Sequence, residues 1–522
     1  MSPSGRDRQS TVLVVGGGHN GLVAACYLAR AGRRVIVLEA SEKAGGGSRT
    51  DETISGYRFN THAAAHNIIN MTSIPDELDL ARGGLEYLPM DPFATGLFSD
   101  GRAVRFFRDL DATVESIAEQ SPDDALAYRA FMRRALPLVE VAVGSLDRAN
   151  NPVARLLSVV RRVGPSLQAV RRAGGIVGLA HDLLTPYGGL LETAFPSDLT
   201  RAPISSFASH SSAGPNLPGG SFYVFWQAAY HLYGQWHPRG GSQSLTDALI
   251  SRLRSWGGEL RTGTAVEAID ARGGRVRGVT LEGGEYLDAS EVVTAVNIQS
   301  ALLDLLQPPL QGRDARELSA AHRGNAVQMV VHLATTELPQ YKNVRPGDWN
   351  GLQSHVDSLQ VLRAGFHSAE AHRLPDPVPT YCFTPSVYDT SLAPAGHHTV
   401  YLACPSAPSE VEGGWEAVQE SFADAMVAQV EAHAPGFTDT ILARSIRTPK
   451  VMAEELRWPG AHPMHLDISL DQLSFLRPTR RLSRHVVPDI AGLFTCGAST
   501  APVGGISGTS GKAAANAVLG AH

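Results

Sequence analysis

The chain has 522 residues, 43% of them hydrophobic and 18% charged, which is enough apolar content for about three domains' worth of core and too much for intrinsic disorder. Lys and Arg number 45 against 51 Asp and Glu, a formal charge of −6, and this acidic balance argues against a nucleic-acid-binding protein. Cys26, Cys382, Cys404 and Cys496 stand far apart with no C-x-x-C pair, which excludes a zinc ribbon and a thioredoxin-type redox pair, and no metal site is expected.

Residues 1–10 are polar and carry no apolar stretch of the secretory kind, and no run of about 18 apolar residues follows anywhere, so the expected compartment is the cytoplasm. Residues 11–15 (Thr-Val-Leu-Val-Val) predict a buried parallel strand. Gly16, Gly18 and Gly21 follow without a gap as G-x-G-x-x-G, and Leu22, Ala25, Cys26, Leu28 and Ala29 carry helical spacing up to a stop at Gly32. Residues 34–38 (Arg-Val-Ile-Val-Leu) predict a second strand, closed by Glu39. Each part has a physical role in holding a dinucleotide. Gly16 permits the tight turn, Gly18 lets the backbone approach a pyrophosphate, and Gly21 lets helix and strand pack closely. The helix N-terminus, at His19 and Asn20, offers free N–H groups to the phosphates. Glu39 accepts hydrogen bonds from an adenosine ribose and disfavours a 2′-phosphate, which argues against NADP.

The fingerprint does not choose between NAD and FAD, but two later features do. Residues 44–50 (Ala-Gly-Gly-Gly-Ser-Arg-Thr) form a glycine loop whose Arg49 is placed to pair with the pyrophosphate. At the other end of the chain, residues 491–498 predict a strand, residues 504–511 a glycine-rich turn, and residues 512–519 a closing helix. That second helix N-terminus suits the electron-rich end of a flavin, and FAD is long enough to need it.

Between these ends, residues 129–172 hold nine arginines against Glu140 and Asp147, with Val153, Leu156, Leu157 and Val160 at helical spacing. A basic amphipathic segment of this kind lies in a membrane interface, on a solvated helix face or at a subunit contact; a peripheral membrane contact there would admit a lipophilic substrate. Residues 221–230 pack five aromatics into ten positions, which suits either an apolar tunnel or a core element. Residues 244–253 predict a helix with a capping pair at Ser244 and Asp247, ended by Gly257 and Gly258. Residues 259–261, 265–270, 275–280, 285–288 and 291–297 predict short strands.

Taken together, the stretches 14–50, 236–242 (Trp-His-Pro-Arg-Gly-Gly-Ser), 385–394 (Pro-Ser-Val-Tyr-Asp-Thr-Ser-Leu-Ala-Pro) and 460–515, the last containing Ser-Leu-Asp-Gln-Leu-Ser-Phe-Leu-Arg-Pro at 469–478, resemble the phytoene-desaturase-like FAD oxidoreductases. Within them the likeness is to the subgroup of pyridine nucleotide-disulfide oxidoreductase domain-containing protein 2. The broader family often carries an arginine directly after the Gly-Gly of the loop; here Gly47 and Ser48 fill that region and Arg49 comes later.

The resemblance implies an α/β fold of the flavin amine oxidase and phytoene desaturase kind. A Rossmann-type FAD-binding domain would be assembled from residues 8–100, 236–300 and 456–522. Residues 101–235 would form a helical, membrane-contacting substrate region, and residues 301–455 an α+β substrate domain. The implied cofactor is FAD, held by Gly16, Gly18, His19, Asn20, Gly21, Glu39, Ala40, Gly47, Ser48, Arg49, Val266 (through its backbone), Gly497, Gly505 and Ile506. The implied reaction is hydride transfer from a lipophilic, polyene or natural-product substrate to flavin N5, giving a C=C bond. A flavin amine oxidase, a reduced-flavin isomerase and a non-catalytic flavin-bound interaction protein are the alternatives. A single G-x-G-x-x-G in the chain argues against a second, NADH-binding domain, so electrons would leave to oxygen or a quinone. Proton acceptors are sought among His465, the first choice for its place in the best-matched motif, His62, His66 and His462, with Arg239 before the Gly240-Gly241 pair.

Overall fold

The computed structural model describes residues 11–146, 163–172, 174–502 and 504–520. Its first unit is a five-stranded parallel sheet in the order Leu493–Thr495, Glu291–Thr294, Thr11–Val15, Arg34–Leu38, Glu259–Arg261. The two leading strands are apolar at nearly every position because both faces of this sheet are covered. Val12, Val14, Val35 and Val37 meet helices His19–Arg30, Gln243–Ser255 and Thr509–Val518 on one face. Leu13, Val15, Ile36 and Leu38 meet a small sheet on the other, built from strands Val266–Arg272, Arg275–Leu281, Tyr286–Asp288 and Leu306–Gln307. Three separated stretches of chain thus contribute to one sheet layer.

The second unit is a seven-stranded mixed sheet, ordered Ile441–Arg447, Ala326–Thr335, His398–Pro408, Thr380–Phe383, Leu352–His355, Ala94–Leu97, Ala103–Phe106. Strand Ala94–Leu97 lies inside the stretch expected to open the FAD-binding domain, yet it pairs in parallel with Leu352–His355 of this sheet. Helix Trp415–His433 covers one face. The other carries a helical layer that includes Pro122–Leu146, Tyr187–Ala194 and Asp198–Ser209. The aromatic run at 221–230 folds as two short helices, Phe222–Phe225 and Gln227–Tyr233, and its Phe225 and Tyr230 are buried in that core. Tyr230 stacks on Phe93 at 5.1 Å and meets Phe207 edge-on at 4.4 Å.

Two expectations change in detail. Helix Gln243–Ser255 begins after Ser242 and has no side-chain cap. The pair Ser244 and Asp247 does not cap it, because the Ser244 hydroxyl donates to the Arg239 carbonyl at 2.6 Å and Asp247 accepts from Gln243 at 2.9 Å. In the arginine-rich stretch, Pro122–Leu146 is a core helix that buries Tyr128, Met132, Ala135 and Val139, and Arg129 and Arg134 pair with Asp111 and Asp182. Val153, Leu156, Leu157 and Val160 lie outside the described residues. All four cysteines are free and buried, and burial pushes the thiols of Cys26 and Cys404 up to about 12. Among the described residues no helix is long and apolar enough to cross a membrane, and no His, Cys, Asp and Glu cluster is placed to hold a metal.

Candidate cofactor and active site

A cleft of about 320 Å³ opens at the carboxyl ends of strands Thr11–Val15, Arg34–Leu38 and Glu291–Thr294, where Val15, Leu38 and Ala295 line it. In an open parallel sheet this is where ligands bind. Gly16 turns the chain there at φ +103° while its N–H donates to the Leu38 carbonyl at 2.8 Å. A Cβ at Gly21 would lie 2.2 Å from the Gly16 oxygen and 2.9 Å from the Ala295 Cβ, so helix and strand touch at a point where only glycine fits. A Cβ at Gly18, by contrast, would meet no atom within 4 Å, because that side of the turn faces the cleft.

Glu39 ends the second strand with both oxygens fixed by main-chain donors, Gly17 N–H at 2.7 Å and Ser41 N–H at 2.9 Å. Its remaining lone pairs are available to a ribose beside Ala40, Thr264 and Val266, which also line the cleft. The glycine loop is tied to the fingerprint by Gly45 N–H donating to the Gly17 carbonyl at 2.9 Å. Arg49 lines the cleft and pairs with Asp51 at 2.9 Å through one terminal nitrogen, while its Nε is buried without a partner.

The end of the chain closes the cleft from the other side. His19 Nε2 meets the Gly505 carbonyl at 3.0 Å, which joins the opening turn to the closing one. Burial holds this imidazole down to about 4, so it is neutral at pH 7. Helices His19–Arg30 and Thr509–Val518 cross so closely that a Cβ at Gly511 would lie 2.1 Å from the Asn20 carbonyl oxygen. Gly497, at φ +105°, Gly505, at φ +83°, and Ile506 complete that wall.

Beyond the glycine loop stands Trp458. A Cβ at Gly47 would come within 2.9 Å of its indole. The rings of His62 and His465 each lie 5.2 Å from it. His465 lines the cleft with Nδ1 buried and unpartnered. Burial, and then the charge of Arg477, push it down to about 3. His62 is likewise held well below its ordinary range by burial and by Arg447 and Arg49. Both rings are neutral at pH 7.

The structure therefore gathers Gly16, Gly18, His19, Asn20, Glu39, Ala40, Gly47, Arg49, Val266, His465, Gly497, Gly505 and Ile506 around one cleft, with His62 one ring removed. Gly21 lies beneath it. Ser48 is buried behind the loop, where its hydroxyl donates to the Ser242 carbonyl at 2.9 Å. His66 is occupied with Tyr87 at 3.1 Å and Ser242 at 3.0 Å. His462 is buried with Nδ1 accepting from Met464 N–H at 3.3 Å. Arg239 is not brought to the cleft: it forms an exposed pair with Glu86 at 2.7 Å. Trp458 was absent from the sequence reading, since a lone tryptophan outside any periodic pattern gives no local signal.

A dinucleotide fits this arrangement. Glycines leave open the space a phosphate needs, a carboxylate stands at the ribose end, and Asn20, Arg49 and His465, which line the same cleft, each have a buried polar atom without a partner, Oδ1, Nε and Nδ1. Comparison with known proteins agrees. The family model described as flavin containing amine oxidoreductase matches residues 21–519. The chain is 30% identical to mouse pyridine nucleotide-disulfide oxidoreductase domain-containing protein 2, over 97% of this chain and 93% of that one. It is 25% identical to the lycopene-forming phytoene desaturase of a Paracoccus species, over 97% of this chain and 96% of that one. Among solved structures, an oxidoreductase from Methanosarcina mazei superposes with a TM-score of 0.62 at 15% identity, covering 98% of this chain and all of that one.

Proposed function

Because the chain belongs to the flavin-containing amine oxidoreductase family and is an FAD-dependent oxidoreductase, we propose that it desaturates a C–C bond of a lipophilic substrate, a polyene or comparable natural-product intermediate. FAD, when bound, supplies the hydride acceptor at N5. Electrons then leave to oxygen or a quinone, in keeping with the single dinucleotide fingerprint.

The observation that carries this reading is the chemistry around Trp458. The rings of His62 and His465 flank the indole there, and both histidines are neutral at pH 7. The two neutral imidazoles leave an ammonium substrate only the indole face as a partner there, whereas an apolar chain enters without desolvating a charge. The chain must also supply an acceptor for the proton leaving the adjacent carbon. His465 lines the cleft and its buried Nδ1 has no hydrogen-bond partner, so it is the acceptor assigned here. An imidazole held down to about 3 is a weak base, but a C–H beside a carbon that has just lost hydride is far more acidic than imidazolium, so this base suffices.

The test is anaerobic mixing of the flavin-loaded protein with phytoene in lipid vesicles and, separately, with primary amines. Bleaching of the flavin by the polyene, with a product two hydrogens lighter, is the expected result. Bleaching by amines alone overturns the proposal, and a product of unchanged mass turns it into isomerisation.

The same proposal places substrate delivery at a lipid surface. On helix Gly175–Leu184 no side chain is buried, and Ile176 and Val177 are 79% and 82% exposed, with Leu167, Leu183 and Leu184 exposed nearby. Arg171 and Arg172, exposed at the end of helix Val163–Arg172, lie directly before them in the chain. Exposed apolar side chains next to cations suit the interface of an anionic bilayer. The membrane contact is thus assigned to residues 167–184 and not to the helix Pro122–Leu146. Co-sedimentation with phosphatidylglycerol vesicles, reduced by Ile176→Asp with Val177→Asp, supports it; no binding at low salt, or binding that the double variant leaves unchanged, refutes it.

A further inference from the structure

The best-matched C-terminal motif includes Arg477, for which the reaction outlined above has no use. Among the described residues it is the largest fully buried side chain, 1% exposed. Its guanidinium donates only to main-chain oxygens: to Ala498 at 2.9 and 3.1 Å, Asp467 at 2.9 Å, Gln472 at 3.3 Å, Leu466 at 3.4 Å, and Met464. It forms no ion pair with a described residue, and the carboxylate of nearby Asp467 bonds instead to His322 at 3.0 Å. Burial lowers Arg477 to about 10, which leaves it cationic at pH 7.

A buried charge bonded only to carbonyl dipoles, with the Asp467 carboxylate acting on it without a direct bond, is ordinarily unfavourable, and purely structural sites are as well served by neutral groups. The position explains its presence. Ala498 lines the cleft, and Met464 lies between Pro463 and His465, which line it too. Arg477 therefore staples the closing turn to the His465 loop from behind and stands one residue's thickness from the cleft. Its charge reaches the cleft, for it is one of the causes that keep His465 neutral.

We propose that Arg477 is an electrostatic positioning residue for the flavin. It holds the Ala498–His465 wall in place and, as a fixed positive charge behind that wall, favours the reduced form of the cofactor over the oxidised one. In a low-dielectric site such a charge acts strongly on electrons arriving nearby and needs no reorganisation. The inference rests on the reading that FAD occupies the cleft with its ring toward Gly497 and Gly505.

Two variants separate charge from shape: Arg477→Lys keeps the charge and some donors, and Arg477→Gln keeps donors without charge. The readouts are the FAD dissociation constants of both oxidation states and the midpoint potential from dye equilibration. Arg477→Gln is expected to weaken reduced FAD at least tenfold more than oxidised FAD, a drop of about 30 mV for a two-electron couple, while Arg477→Lys stays within that span of wild type. A Gln variant with wild-type potential, or a Lys variant displaced as far as the Gln variant, overturns the proposal. Should the Gln variant not fold, the Lys variant decides: a potential more than about 30 mV from wild type assigns Arg477 a packing role only. Wild-type protein that takes up no FAD would defeat the cofactor reading itself, before any variant is compared.

Discussion

Replacing Gly18 and Gly21 by alanine, one at a time, separates cofactor binding from folding. Gly18 has φ −69° and ψ 167°, an extended conformation open to any residue, and its added methyl would meet no protein atom within 4 Å. The apoprotein should keep its melting temperature or gain slightly, since Gly to Ala at a compatible site stabilises by about 0.4–1 kcal/mol. That methyl enters the cleft where a pyrophosphate must approach the helix N-terminus. Loss of one charge-assisted hydrogen bond there costs about 1.5–3 kcal/mol, roughly 10- to 150-fold in the dissociation constant for FAD. At Gly21 the methyl would lie 2.2 Å from a backbone oxygen. Overpacking of this kind costs about 1–3 kcal/mol or more, so this variant should lose melting temperature as apoprotein and FAD affinity as well. Thermal melts of both apoproteins, with FAD titrations followed by flavin fluorescence, give the comparison. A Gly18→Ala protein that binds FAD like wild type would refute the assignment of the cleft, and equal destabilisation by both variants would refute the packing argument.

Trp458→Ala should keep FAD bound, because it removes no ribose or phosphate partner and only the packing of the indole on Gly47, yet expose the far end of the cleft between His62 and His465; stronger iodide quenching of flavin fluorescence with less than tenfold loss of affinity is the expected outcome. Acid should destabilise the protein early. His19 and His485 are held at about 4, and His66, His332 and His465 at about 3, all chiefly by burial. Their unfolded values lie near 6.5, so below that pH the unfolded chain binds more protons, and the stability present above 6.5 is lost as pH falls toward 4. Melting temperatures that stay level between pH 7 and 5 would contradict the burial of these rings in neutral form.

The nucleotide-binding half was legible because its signals are local. Strand, glycine turn, helix and strand follow one another within residues 11–39, and each apolar run reports a sheet covered on both faces. Membership of the second sheet is a different matter. Strand Ala94–Leu97 is four residues long, and its place is decided by pairing with Leu352–His355, far away in the chain. Nothing within the strand encodes that partner. The arginines of 129–172 show the same limit: a count of charges does not say that Arg129 faces Asp111 or that Arg134 faces Asp182.

The histidines show what a motif does and does not convey. Proximity to matched segments singled out His62, His66, His462 and His465 among 19, and the fold brings the rings of His62 and His465 to Trp458 while His66 is held by Tyr87 and Ser242. It was not enough for Arg239, whose neighbours Gly240 and Gly241 serve a turn while its own side chain reaches Glu86. Nor could a motif convey protonation state, which depends on how deeply a ring is buried and on which charges surround it. His465 is neutral chiefly because it is buried, and next because Arg477, twelve residues later in the chain, returns to lie behind it. The Trp458 end of the cleft is thus a property of closure. It exists only where Gly511 meets Asn20 and Gly505 meets His19, contacts that unite the two ends of a long chain. Residues with a chemical part to play there can be named one by one from the sequence, but their state is set when those ends come together.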